Sequence, residues 1–277
     1  MAIPIINNWQ SYYPEPDEGM GSSYERIILN RLLLRLHSER GYESALESPC
    51  FGFTGISGIN LMALAQKGTM VYLEDHDLER IELIKESWRE LSANMEIMQN
   101  KSGYTELDFP DGSIDLVFNF SALWFVQDLS AFIGEACRIA KKDILICLPN
   151  RDGLGFKDQL KGYSKERYPR LHPAHISAES LIYLMRKRGW KLVEKDYIDC
   201  PPWPDIGMNK EDFLSEKFGV ELPKSQKPKE KLSILPYYRG EDPDFEHRMM
   251  RLFPFERTMP QWFKRIWAHH RYFLFRS

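Results

Sequence analysis

Three stretches of this sequence carry residue types whose spacing could do chemistry. The first is Gly52-Phe53-Thr54-Gly55-Ile56-Ser57-Gly58, between the short apolar segment Cys50-Phe51 and a helical run from Ile59 to Gln66. Glycines let backbone approach a ligand where a Cβ would block it, and the helix beyond presents free N–H groups to a carboxylate or phosphate. An ordinary strand-to-helix turn would look similar. The second is Glu74-Asp75, closing the apolar run Met70-Val71-Tyr72-Leu73. In open α/β sheets an acid at this place takes both hydroxyls of a ribose, and a hydrogen bond to a charged group is worth roughly 1.5–3 kcal/mol. Neighbouring side chains diverge, so only one of the two can enter a crevice; Asp77 reads as a helix cap. The third is residues 107–126, in which the turn Pro110-Asp111-Gly112-Ser113 precedes a strand. Asn119 and Phe120 fall at its carboxyl tip, where ligands bind in such sheets.

Histidines offer proton chemistry. His172 and His175, in Leu171-His172-Pro173-Ala174-His175, are candidate general bases because an imidazole titrates near neutrality; one of them could equally cap the next helix. No third ligand stands in register with them, so no metal is expected. Alternation along a strand sends His269 and His270 to opposite faces, so at most one reaches a site. The four cysteines, Cys50, Cys137, Cys147 and Cys200, form no CxxC pair and read as reduced thiols of a cytoplasmic protein.

The elements that must position these residues alternate. Strand-like runs at 70–73, 114–119 and 143–148 are separated by helical runs at 59–66, 78–93 and 129–140. This βαβ rhythm predicts a largely parallel sheet with helices on both faces. Ser177 should cap a helix over 178–188, Trp190–Cys200 should be a strand, and Arg271–Phe275 another. Ser22 and Glu25 fit a capping box for an amphipathic helix with Ile27, Ile28, Leu32 and Leu36 inward, Arg26, Asn30, Arg31 and Arg35 outward, and Gly41 at its end. A net charge of −3 over 277 residues, with pI about 6.2, gives no strongly basic surface for nucleic acid. MAIPIINNWQ lacks the pattern of a signal peptide, and no apolar run is long enough to span a membrane. The Lys224–Lys231 run reads as a solvated loop.

Residues 104–150 resemble the class I methyltransferases that use S-adenosylmethionine (SAM), especially the broad small-molecule branch. The likeness rests on Asp108-Phe109-Pro110-Asp111-Gly112-Ser113-Ile114-Asp115, on Glu135-Ala136-Cys137-Arg138-Ile139-Ala140-Lys141, and on Leu148-Pro149-Asn150. Weaker matches extend it over roughly residues 45–200. The sequence departs from the family at its first motif, where Thr54 and Ile56 replace two glycines. It also departs at the first strand's acid, unless Glu47 or Glu74 substitutes, and at the acid that meets adenine, near which Tyr104 and Thr105 stand.

The resemblance implies a Rossmann-like, mostly parallel seven-stranded sheet with an antiparallel last strand. It implies an N-terminal lid and helix (1–40), a SAM-binding core (41–200, with an acceptor-side insertion at 151–176), a cap (201–260) and a final core strand (261–277). SAM would lie across the strand tips, leaving as S-adenosylhomocysteine (SAH). Gly52, Phe53, Thr54, Gly55, Ser57 and Gly58 would frame its methionyl part, and Glu74 or Asp75 would hold ribose, family spacing favouring Asp75. His76, Tyr104 and Thr105 would sit near adenine, with Asn119 and Phe120 under the sulfonium. Trp9, Tyr12 and Tyr13 would close the pocket, and Trp124 and Phe125 would line the acceptor side. In-line methyl transfer gains chiefly from positioning, roughly 7–11 kcal/mol, so no catalytic residue need stand out. The expected acceptor is a small molecule. Alternatives are a protein side chain, a non-catalytic protein of the same fold, and, last, a nicotinamide dehydrogenase.

Overall fold

The computed structural model describes residues 9–13, 17–89, 91, 93–161, 163–202 and 232–277. Residues 203–231 of the expected cap, the Lys224–Lys231 run among them, lie outside the described residues.

Seven strands form one sheet in the order β3-β2-β1-β4-β5-β7-β6. They are β1 (Ser44–Glu47), β2 (Met70–Asp75), β3 (Met95–Gln99), β4 (Ile114–Phe120), β5 (Ala140–Pro149), β6 (Lys191–Ile198) and β7 (His270–Arg276). β1 to β5 pair in parallel, while β7 runs antiparallel to both β5 and β6. The expected doubly covered sheet with a reversed last strand is therefore present. β4 is buried at every position, as a central strand covered on both faces must be. The face with Leu116, Phe118, Phe120, Cys147 and Leu274 packs under the long helix α1 (Gly19–Arg40). The other, with Val117, Ile144, Ile146 and Phe273, packs under α4 (Leu129–Ile139) and α6 (Ala178–Lys187).

Short-range signals held. Ser177 caps α6 through the Ser180 N–H, Asp77 accepts from the Arg80 N–H at the start of α3 (Leu78–Arg89), and Gly41 ends α1 in the left-handed conformation. Four expectations need correction. α1 begins at Gly19, so Ser22 lies inside it and Glu25 faces the interior; no capping box forms. Arg26 and Asn30 are buried rather than solvated, because α1 is covered on two sides and has no single polar face. β3 was not apparent, since its edge position leaves its residues only partly covered. Residues 261–267 are a helix, not part of the final strand. Tyr238, Phe245 and Met249, from short helices after residue 235, join the core under α1.

Candidate functional site

The sheet's carboxyl edge brings the glycine loop and the β2 acids together as expected. The loop leaves β1, turns through cis Pro49, and closes with the Gly58 N–H donating to the Cys50 carbonyl (2.9 Å). Its glycines are demanded by the chain itself. A Cβ on Gly52 would collide with the Phe120 carbonyl, one on Gly55 with the Glu18 carboxylate, and one on Gly58 with Ile84.

Asp75 faces this loop, and Arg80 grips it with two hydrogen bonds of 2.6 Å, both side chains being buried. The Asp77 N–H (2.9 Å) and the Cys50 thiol (3.8 Å) also donate to Asp75. A carboxylate has about four acceptor positions, and the chain takes all of them. The Arg80 guanidinium lies 4.4 Å from the Phe51 ring centre and 5.0 Å from that of Trp9. A planar cation thus fills a slot between aromatic rings. Burial and the adjacent Asp75 carboxylate push the Cys50 thiol well up, so it is no nucleophile. Glu74 turns elsewhere: Ser48 (2.7 Å) and Asn100 (3.3 Å) donate to it, and burial raises its pKa to about 7.

Next to Asp75, a second pair occupies the loop. Glu18 accepts from the Ile56 N–H (3.0 Å) and from Arg26 (2.5 Å), while Arg26 also donates to the Ile56 carbonyl (3.0 Å) and to Asn60 (2.6 Å). Glu18 Oε2, Arg26 Nε and Ser57 Oγ are buried there without hydrogen-bond partners. The loop therefore already holds a carboxylate on a backbone N–H and a guanidinium. Glu47, at the tip of β1, accepts from Asn60 (2.6 Å), and burial drives its pKa to about 8.

The remaining ring-bearing candidates enclose this pair of ion pairs. Trp9 is buried and meets Tyr13 edge-on, and the Tyr13 hydroxyl reaches the Ser57 carbonyl (3.5 Å). Tyr12 packs at the margin of both core clusters. Phe51 contacts His76 and Phe125, each at 5.1 Å between ring centres. Tyr104 is buried at positive φ and shares a 3.0 Å hydrogen bond with His76 Nδ1. Burial lowers the His76 pKa, favouring the neutral ring. Thr105 turns back to the Ser102 carbonyl. Asn119 is spent on Ser48 and Ala122, and Phe120 contacts Phe53 (5.1 Å). Sequence reasoning missed Glu18, Arg26 and Arg80. Only Arg80, five residues after Asp75 across a helix start, left a local signal.

Residues 53–148 match the family model described as a methyltransferase domain. Over that stretch the chain is similar to SAM-dependent methyltransferases of class I. No curated protein matches the sequence. Among solved structures, the MccD protein is similar over 90% of this chain and 96% of its own, with TM-score 0.54 and 14% identity. A protein of Galdieria sulphuraria provisionally assigned as a sarcosine dimethylglycine methyltransferase gives TM-score 0.53 and 12% identity, covering 89% and 84%. The [4+2]-cyclase SpnF gives 0.51 and 15%, covering 90% and 80%. At such identities the likeness is one of fold.

SAM is the cofactor of the matched family, and the crevice meets it halfway. The donor set fits: a carboxylate at the tip of β2, and a backbone N–H with an arginine that already bind a carboxylate, beside orphaned polar atoms. The space is filled by Arg80 and Glu18. On the acceptor side, Trp124 is buried and donates to the Ser121 carbonyl (2.9 Å). His172 and His175 stack at 4.8 Å beside the Leu123–Phe125 turn, held by the His172 N–H on the Trp124 carbonyl (2.7 Å). Burial, then the neighbouring His172, lowers the His175 pKa. A hollow of about 240 Å³ opens nearby, floored by Leu148, Ile176 and Phe273 and rimmed by Arg151, Glu179 and Arg271.

Proposed function

We propose that the methyltransferase domain binds SAM once Glu18 and the Trp9–Tyr13 segment draw back, and passes the methyl group to a small-molecule acceptor. One observation carries this reading: each polar group suited to SAM already holds a chain group of matching chemistry. The Ile56 N–H and Arg26 would receive the methionyl carboxylate in place of Glu18. Asp75 would receive the ribose hydroxyls in place of Arg80, and the Phe51, His76 and Tyr104 rings would bound the adenine. When bound, SAM supplies an electrophilic methyl on sulfonium. The chain's part is to orient the reactants and exclude water, with Trp9 and Tyr13 over the site and Phe120 beneath it. His172 or His175 would take a proton where the acceptor arrives protonated. The 240 Å³ hollow with charged groups of both signs suits a small polar acceptor. Four free thiols, three of them buried, fit a cytoplasmic setting; no helix among the described residues is long and apolar enough to cross a membrane.

Calorimetry with SAH tests this. Asp75→Asn should weaken SAH at least tenfold, and Glu18→Ala should tighten it several-fold by freeing the Ile56 N–H. A second reading, a protein of this fold that no longer uses SAM, is favoured by the saturation of Asp75. Failure of both wild type and Glu18→Ala to bind SAH would establish it and end the first reading.

A further inference from the structure

Away from the cofactor crevice, at the other end of the sheet's carboxyl edge, lies a second polar cluster. β7 enters the sheet there at His270, β6 ends there at Ile198, and α1 crosses above. Glu25 contacts His270 Nδ1, and Asp199 contacts His269 Nδ1. Glu25, Asp199 and His270 are all more than nine-tenths buried. Each offers one ligand atom, and these atoms lie within 4.8 Å of one another. Beyond these two pairs, Asp199 Oδ1 and His270 Nε2 are buried without a hydrogen-bond partner. Asp199 also sits at φ 63, a conformation that an L side chain adopts at some expense. Groups buried without hydrogen-bond partners are strongly disfavoured unless something satisfies them.

The charge balance sharpens the point. A third carboxylate, Glu256, adjoins the cluster, accepting from the Tyr24 hydroxyl (2.7 Å) and the Cys200 N–H (2.9 Å). Lys264 acts on Glu256, and among the described residues the other groups around the cluster are the two imidazoles, Tyr24 and the thiols of Cys147 and Cys200. With both imidazoles neutral, the three carboxylates face one cation, Lys264, among the described residues, and a divalent ion would offset the excess negative charge. Burial raises the Asp199 pKa to about 7, partly opposed by His269, while the two histidines outweigh burial at Glu25 and hold its carboxyl low.

We propose that Glu25, Asp199 and His270 form a binding site for a divalent transition-metal ion, such as zinc or manganese, beside Phe120. Two carboxylates and an imidazole suit borderline ions, which bind at about 2.0–2.2 Å, and an ion would draw the three ligand atoms together from their present mutual distances of up to 4.8 Å. The Phe120 ring lies 4.8 Å from that of His270, so an ion here stands next to the tip of β4, where it could hold an oxygen or nitrogen of a bound molecule. The proposal does not depend on SAM binding.

The experiment is elemental analysis of the purified full chain, then calorimetric titration of chelator-treated protein with Zn²⁺ and Mn²⁺. We expect one equivalent bound, affinity lowered at least tenfold in Asp199→Asn and in Glu25→Gln, and no change in a His172→Ala/His175→Ala control. Should those variants fail to fold, the wild type decides: Zn²⁺ or Mn²⁺, but not Mg²⁺, should raise the melting temperature of the chelator-treated protein. Absence of one-equivalent binding by the wild type overturns the proposal. Binding that both acid variants retain, or that the control abolishes, overturns it as well.

Discussion

The two ends of the sheet's carboxyl edge treat buried charge in opposite ways. Over β1 and β2, two buried carboxylates each meet a guanidinium: Asp75 with Arg80, and Glu18 with Arg26. Beside β7, the ion-pair partners of Glu25 and Asp199 are imidazoles, whose charge is conditional. An arginine is always charged and forks two hydrogen bonds onto a carboxylate, so it locks a site without outside help. Histidine can give up its proton and present a lone pair, which leaves a site able to exchange protons or ions with its surroundings. The first region is closed by its own side chains, and the second is built to be completed from outside.

Breaking the locked side should produce the largest effect. Arg80→Ala strands Asp75 without its cation, and the loss of stability should be about 3–5 kcal/mol, read from denaturant unfolding. Adding Asp75→Asn should recover much of it; a double variant no better than Arg80→Ala would mean that Arg80 works through its packing on Trp9 and Phe51. Next comes Glu47, buried between the two regions. Its folded-state pKa of about 8 lies above the ordinary value, so the fold binds the extra proton and loses stability as pH rises from about 5 to 8. Glu47→Gln should remove that loss, on the order of 3 kcal/mol at pH 8 relative to pH 5; parallel pH profiles of variant and wild type would refute the assignment. Glu74, also raised by burial, acts in the same direction. The smallest effect belongs to the outer histidine pair. His172→Ala and His175→Ala should each change stability by about 0.5 kcal/mol or less. A larger loss, measured by thermal unfolding, would give this partly covered pair a structural role like that of the inner one.

The same contrast explains what the sequence disclosed. The βαβ rhythm, the caps at Asp77 and Ser177, the turn before β4 and the meeting of the glycine loop with Asp75 are local, and each is written in a few adjacent residues. The occupants of the crevice are not. Arg26 looks like a solvent-facing position on a helical wheel, and only the packing of α1 against loop and cap turns it inward. Glu18 and Ile56 come from different elements. The glycines are present as expected, yet the room they make at Gly52 and Gly55 is taken by the Phe120 backbone and by Glu18. Alternation placed His269 and His270 on opposite faces, yet His269 precedes β7 and both meet the same acid cluster; their carboxylate partners lie on α1 and after β6, with no spacing to announce them.

The place of β7 within the sheet carries a consequence for synthesis. Because β7 lies between β5 and β6, β6 has no edge to join until residue 276 has left the ribosome. Until then the nascent chain exposes the flank of β5 as an open, hydrogen-bond-hungry border. Completion of the sheet is therefore a late, long-range event, and a chain stalled before residue 270 would be a natural client for chaperones.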